Sequence, residues 1–248
     1  MSVFRNVVFI AAIAGLFAGL VMTAMQTYAT VPLILQAEAF ENAGGHAHDH
    51  GGAAHDHGTT AEAAPHDHGE EAWAPADGFE RFAYTAMANI VTAIGFALVL
   101  VAASEFAGGI AGWRQGVLWG FAGFVVFTLA PGLGLPPELP AMPAADLADR
   151  QVWWTATVAA TAAGLALVAF RGSVIFSLIG VALIVAPQIV GAPQPISHDS
   201  PVPDDLHHQF VVAVTVTSLI FWVLLGGVAG IVRQRFLGSA DSLRKSFA

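Results

Sequence analysis

The stretch Val7–Met25, VVFIAAIAGLFAGLVMTAM, decides the fold because it carries no charged residue over the length of a membrane span. A membrane helix needs about 20 mostly apolar residues, whereas the apolar region of a signal peptide has about 7–15. Arg5 precedes the stretch, as it would in a signal peptide, but the apolar length is too great. We therefore expect an uncleaved membrane span.

Five more apolar runs follow this one. The six runs are Val7–Leu35, Phe82–Ser104, Val117–Leu135, Val152–Phe170, Ser173–Val190 and Gln209–Val232. Only Arg171 and Gly172 separate the fourth run from the fifth, which favours a tight helical hairpin over one overlong helix. We predict an all-α integral membrane protein in which residues 1–248 form a single membrane domain, a bundle of about six transmembrane helices.

The composition excludes several classes of protein. Of the 248 residues, 56% are hydrophobic and 11% are charged, against about 25% charged in a soluble domain. The chain has no cysteine for disulfides or thiolate metal sites, and no basic stripe that would bind nucleic acid. No histidine lies within an apolar run, as a transmembrane haem protein would require. The sequence motifs of P-loop ATPases, zinc proteases and serine hydrolases are missing, and we expect no enzyme.

Lysine and arginine indicate the orientation, since cytoplasmic loops are enriched in both. With six spans, seven of these residues lie on one side of the membrane and two on the other. The seven are Arg5, Arg114, Arg171, Arg233, Arg235, Arg244 and Lys245, and the two are Arg81 and Arg150. We therefore expect a multi-pass protein of the bacterial inner membrane with both termini in the cytoplasm and all ten histidines on the outer face.

A histidine-rich loop separates the first two runs. The motif His-Asp-His-Gly occurs three times in it, among Gly, Ala, Thr and Glu residues that cannot form a core. We predict that residues 42–76 are a disordered periplasmic loop that binds a transition metal through imidazole and carboxylate groups. A solvated acidic spacer is the alternative. The predicted ligands are His46, His48, Asp49, His50, His55, Asp56, His57, His66, Asp67 and His68.

Further carboxylates and histidines lie at the predicted outer ends of the spans, near prolines. The candidates are Glu38 and Glu41 beyond Pro32, Glu138 after Pro137, and His198, Asp204, His207 and His208 in the fifth connection. We expect them to form a second set of metal ligands at the outer mouth. For Asp204, capping of the last helix is an equally good explanation.

Polar residues inside the spans suggest where an ion would continue. Thr23 and Gln26 lie in the outer half of the first run, and Asn89 and Thr92 in that of the second. They could line a polar vestibule, or they could simply form the interhelical hydrogen bonds that are common in membrane bundles. At the cytoplasmic side, Glu105 ends the second run, and we expect a surface acid near Arg114 rather than a gate.

Two small-residue motifs indicate close helix packing. Gly15 and Gly19 form one GxxxG motif, and Gly116 and Gly120 form another. Small residues at this spacing let helix backbones approach closely. They favour a compact bundle and are compatible with a homo-oligomer.

The order of landmarks along the chain resembles the CbtA family of predicted cobalt transporter subunits. The matching stretches are Val31–Glu38, Gly78–Arg81, Leu129–Pro140, Arg150–Trp154, Gly191–Pro195 and Phe221–Gly226. The most specific is Gly-Leu-Pro-Pro-Glu-Leu-Pro at residues 134–140, followed by Arg150-Gln151-Val152-Trp153-Trp154. Glu38, Glu138, Arg150 and Trp154 occupy motif positions of the family.

The resemblance implies cobalt uptake linked to cobalamin synthesis, with a small single-span, histidine-containing CbtB subunit as companion. We expect Co²⁺ as the ion, with Ni²⁺ and Zn²⁺ as alternatives. Two other functions remain open: an accessory subunit that binds metal and delivers it to a separate permease, and a metal-dependent membrane enzyme.

Overall fold

The computed structural model describes the backbone of residues 2–45, 75–76 and 78–246, and the side chains of residues 4–41, 75–76 and 78–236. These residues form helices and their connections, with no strand among them, so the all-α prediction is confirmed. The helices are α1 (Ser2–Ala29), α2 (Val31–Gly45), α3 (Phe79–Phe106), α4 (Trp113–Phe124), α5 (Ala130–Gly132), α6 (Leu147–Phe170), α7 (Val174–Val190) and α8 (Asp204–Ser246). A π-helical segment, Val125–Leu129, joins α4 to α5.

Five helical stretches within the described residues are long and apolar enough to cross a membrane. They are Phe4–Ala29, Phe79–Phe106, Trp113–Gly132, Leu147–Phe170 and Asp204–Phe236. The predicted hairpin is present, since α6 ends at Phe170 and α7 begins at Val174. However, α7 has only 17 residues, which span about 26 Å, less than the hydrocarbon core of about 30 Å. The structure therefore supports five spans and leaves the predicted sixth unconfirmed.

The first apolar run is not one helix, contrary to the prediction for Val7–Leu35. The helix α1 ends at Ala29, and the backbone oxygen of Thr30 accepts hydrogen bonds from Leu33 (3.1 Å) and Ile34 (3.0 Å) to begin α2. Pro32 fits the first turn of α2 because backbone N–H groups there have no intrahelical acceptor. The helix α2 continues to Gly45, past residue 42, where the loop was predicted to begin; residues 46–74 and 77 lie outside the described part of the chain.

Glycines bring the helices together in three pairs. A Cβ atom on Gly15 would lie 2.5 Å from the Cα of Ile94 in α3, so α1 and α3 are in backbone contact. A Cβ on Gly116 of α4 would overlap the carbonyl oxygen of Gly226 in α8, and a similar contact joins α6 to α7. Both predicted GxxxG motifs therefore lie at helix contacts, as expected for close backbone approach.

Two clusters of buried side chains define two ends of the molecule. The larger cluster lies among α1, α3, α4 and α8 and includes Val101, Phe124 and Leu225. The smaller one packs α2 against the segment after α5 and the start of α8, and it contains Ala37, Leu139, Val202, Leu206 and Phe210. We call the end of the molecule with the smaller cluster the α2 end. It holds the predicted outer ligands that the structure describes.

Candidate functional site

Glu38 of α2 is held by Arg81 at the start of α3. The Oε1 atom of Glu38 lies 2.6 Å from Nη2 of Arg81, and Oε2 accepts a longer hydrogen bond of 3.5 Å from Nη1. This two-point contact fixes the carboxylate relative to the guanidinium plane. Since about a third of each side chain is exposed, the pair remains accessible to water and ions. The helix α2 thus presents a carboxylate that already binds a cationic group.

Glu138 forms the second ion pair of the α2 end. It follows Pro136 and Pro137, and its Oε2 lies 3.1 Å from Nη2 of Arg150 in the first turn of α6. That turn is fixed by Asp146, whose carboxylate accepts hydrogen bonds from the backbone of residues 148 and 149. Arg81 and Arg150 are the two basic residues predicted outside, and each one pairs with a predicted metal ligand.

His207 is anchored beside Glu138. Its Nε2 lies 3.1 Å from the carbonyl oxygen of Pro137. A carbonyl can only accept a hydrogen bond, so Nε2 is the donor in this contact. The ring is half-buried and follows Leu206 of the smaller cluster. The structure therefore brings one histidine and the Pro137–Glu138 segment together.

The other predicted ligands are not gathered into this arrangement. Glu41, His198, Asp204 and His208 are exposed. Asp204 lies in the first turn of α8, where an acid is favourable for the helix dipole whether or not it binds metal. Among the described residues, no three His, Asp or Glu side chains are close enough to hold one ion. The predicted ligands from His46 to His68 lie outside the described residues.

Three of the four predicted pathway residues form a cluster between α1 and α3, which we call the amide cluster. The Nδ2 atom of Asn89 donates to Thr23 Oγ1 at 3.1 Å and to Gln26 Oε1 at 2.7 Å. Thr23 is buried and donates in turn to the backbone oxygen of Gly19 at 2.9 Å. Thr92 is exposed and lies apart from the cluster. These contacts are interhelical hydrogen bonds, the predicted alternative to a polar vestibule.

Glu105 differs from its prediction as a surface acid near Arg114. Its Oε1 lies 2.9 Å from Nε of Arg233 in α8, and Arg233 also donates to the backbone oxygen of Ile110 at 2.7 Å. Gly109, at a φ of 80°, lies against the guanidinium, and a Cβ there would overlap it. Arg114 instead lies over the ring of Trp113, 5.5 Å from its centroid. Arg233 therefore connects α8 to the end of α3 and to the tight turn that follows it.

Sequence reasoning also missed the polar contacts around the π segment. Gln188 of α7 donates to the backbone oxygen of Ala130 at 2.9 Å, and Trp222 Nε1 donates to Thr128 Oγ1 at 3.3 Å. Pro131 gives a partial signal, because a proline within a span removes one backbone donor. The π turn itself has no local signature in residues 125–129.

Together these features define a multi-pass membrane protein in which two carboxylate–arginine pairs and one histidine lie at the α2 end. The family model described as "Probable cobalt transporter subunit (CbtA)" matches residues 4–234, and the chain belongs to this family. The resemblance found in the sequence is therefore confirmed. The family consists of transporter subunits rather than enzymes, and the word subunit implies partner chains. No curated protein and no solved structure matches the chain.

Proposed function

We propose that this protein takes up Co²⁺ across the bacterial inner membrane, with the α2 end facing the periplasm. The proposal rests on two ion pairs: Glu38 and Glu138 each bind the guanidinium group of an arginine. The chain that carries these pairs belongs to a family of probable cobalt transporter subunits. A carboxylate that binds a cationic side chain in a partly hydrated site offers the same charge to a metal cation. Co²⁺ would bind by displacing the arginine, with His207, whose Nε2 lies 3.1 Å from the carbonyl oxygen of Pro137, as a neighbouring imidazole.

The charge distribution supports this orientation. Residues 36–81 contain ten acids and one arginine, a balance of −9 that equals the formal charge of the whole chain. If α7 is the sixth span, seven of the nine basic residues fall on the opposite side, and the positive-inside rule assigns that side and both termini to the cytoplasm. A membrane potential that is negative inside then favours inward movement of a dication by about 4.6 kcal/mol per 100 mV.

The role proposed for the histidine-rich loop is capture. Imidazole and carboxylate ligands suit divalent transition metals in general, so the residue types of this loop do not select one ion. The loop would raise the local concentration of Co²⁺, Ni²⁺ or Zn²⁺ at the α2 end. Selection among these ions is then left to the fixed groups near Glu138.

The amide cluster is the proposed next step for the ion. Asn89 lies eight residues beyond Arg81 on α3, so the cluster is about 12 Å deeper along the helix than the Glu38–Arg81 pair. Gln26 and Asn89 are amides within the predicted spans, where polar groups need partners and often have functions. Water or a partly hydrated ion could replace the hydrogen bond between them. Thr92 would contribute only after α3 rotates.

An accessory subunit is the second candidate function. Beyond the amide cluster, α1 and α3 are closed by the contact of Gly15 with the backbone of Ile94. The described residues therefore show no polar path between these two helices. A chain that only binds metal would pass it to a partner, such as a CbtB-like subunit or a separate permease, or would act within a homo-oligomer.

Uptake of radiolabelled Co²⁺ by proteoliposomes that contain only this chain tests the proposal. We expect uptake that depends on an inside-negative potential and that falls in Glu138→Gln at every Co²⁺ concentration. Asp199→Asn is the matched control, because Asp199 is an exposed acid of the fifth connection. If the folded chain binds Co²⁺ but transports none, the accessory function is correct and the transporter proposal is wrong.

A further inference from the structure

A groove runs between α3, α4 and α6 at the end of the bundle opposite to the α2 end. It has a volume of about 580 Å³. Its walls are apolar: Val99 and Ala103 of α3, Leu118 of α4, and Ala162 and Leu165 of α6 are among the side chains that line it. Of the described residues in the lining, Gln115 is the only one with an amide or charged side chain.

Aromatic rings close the groove on the side of the π segment. The rings of Phe127 and Trp222 stack with centroids 5.5 Å apart, and Phe96 contacts Phe127 at 5.2 Å. These three residues line the groove. At its other end the lining includes Phe106, Gln115 and Phe170, which are the last lining residues on α3 and α6 and the first on α4.

The length of the groove matches one leaflet of a bilayer. Gln115 and Phe127 are twelve residues apart, a distance of about 18 Å along a helix. Half of the hydrocarbon core measures about 15 Å. A transmembrane helix of a partner would need a groove of the full thickness. The groove is too short for such a helix, whereas an acyl chain has the required length and apolar character.

Two exposed arginines stand at the end where a lipid headgroup would lie. Arg114 precedes Gln115, and Arg171 follows Phe170. The rings of Trp119, inside α4, and Phe170, the last residue of α6, both line the groove and have centroids 6.4 Å apart. Basic side chains at this level attract anionic lipids. We infer that the groove binds an anionic phospholipid, with one acyl chain between α3, α4 and α6 and the phosphate near Arg114 and Arg171.

Native mass spectrometry of the full chain, released from nanodiscs of equal parts phosphatidylglycerol and phosphatidylcholine, tests this inference. We expect a retained phospholipid that is mainly phosphatidylglycerol, with a preference of about fivefold for each arginine. The double variant Arg114→Gln/Arg171→Gln should bind both lipids equally. Retention of the two lipids in equal amounts by the unchanged protein, or of a single-span protein in place of lipid, would overturn the inference.

A groove-filling variant tests where the acyl chain lies. Ala162→Trp should remove the retained lipid, whereas Val181→Trp should not, because Val181 is 53% exposed on α7 and does not line the groove. If Ala162→Trp does not fold, quenching of Trp119 by tail-brominated phosphatidylglycerol replaces it, with Trp119→Phe as the reference for the other tryptophans. Absence of that quenching contradicts the inference. Neither readout depends on cobalt transport.

Discussion

Arg150 is expected to compete with Co²⁺ for Glu138, and this competition can be measured. The atoms Nη2 and Oε2 are 3.1 Å apart, with 29% and 25% of the two side chains exposed. Coulomb attraction at an effective dielectric constant near 20 would be about 5 kcal/mol. Ion pairs that stay in contact with water have measured strengths of only about 0.2–1 kcal/mol. Because a quarter of each side chain is hydrated, we take about 1 kcal/mol, which corresponds to a factor of about five.

Arg150→Gln should therefore lower the Co²⁺ concentration for half-maximal uptake by up to about fivefold. The assay is potential-driven Co²⁺ uptake into proteoliposomes over a range of concentrations. In a Glu138→Gln background the same change should have no effect, which makes the comparison a double-mutant cycle. Arg171→Gln, an exposed arginine distant from the α2 end, is the control. A weaker apparent affinity for Co²⁺ in Arg150→Gln would refute the competition. So would an equal increase in Co²⁺ affinity whether residue 138 is Glu or Gln.

Three other changes give separate tests. Deletion of Gly44–His68 should raise the half-saturating Co²⁺ concentration but preserve the maximal rate, and loss of transport at saturating Co²⁺ would make the loop part of the pathway. Gly226→Ala should lower the free energy of unfolding in detergent by about 1–3 kcal/mol, because the added Cβ would overlap the backbone of α4. Gly227→Ala is the control and should lower this free energy much less, because its Cβ would meet only a side chain, at 3.4 Å. Equal losses of stability in the two variants would contradict the packing of α4 against α8. Asn89→Leu should destabilise the protein by about 1–3 kcal/mol, because it removes the two hydrogen bonds from Asn89 to Thr23 and Gln26 of α1. Thr92→Val should change stability by less than about 0.5 kcal/mol. Thermal unfolding of both variants checks this, and equal losses of stability would contradict it.

The helices were predictable because apolar length and glycine spacing are local properties of the sequence. The break before Val31 was not, because the segment from Thr30 to Leu35 remains apolar and hydropathy does not register a change of helix direction. The shortness of α7 depends on where its helix ends, and hydropathy places such boundaries only approximately. These are the two points at which the predicted spans differ from the structure.

The candidate site was predictable in composition but not in pairing. Glu38 and Arg81 are 43 positions apart, and Glu105 and Arg233 are 128 apart. Such pairs depend on the rotation of each helix, which the glycine contacts set. Thr92 illustrates this: Ile90 faces Gly19 of α1, and Thr92 lies about 200° around α3 from it. Spacing alone could not show which polar residues of α3 face α1.

The helix α8 follows its packing partners α1, α3 and α4 in the chain, and this order affects how the bundle forms. Trp222, Leu225 and Ala229 of α8 are buried in the larger cluster, and Gly226 fills the contact with α4. Because α8 follows α3 and α4 in the chain, the glycine face of α4 and the carboxylate of Glu105 are synthesised before their partners on α8. The bundle can close only after translation has passed residue 233, and a nascent chain stalled before that point would expose this face to other membrane proteins.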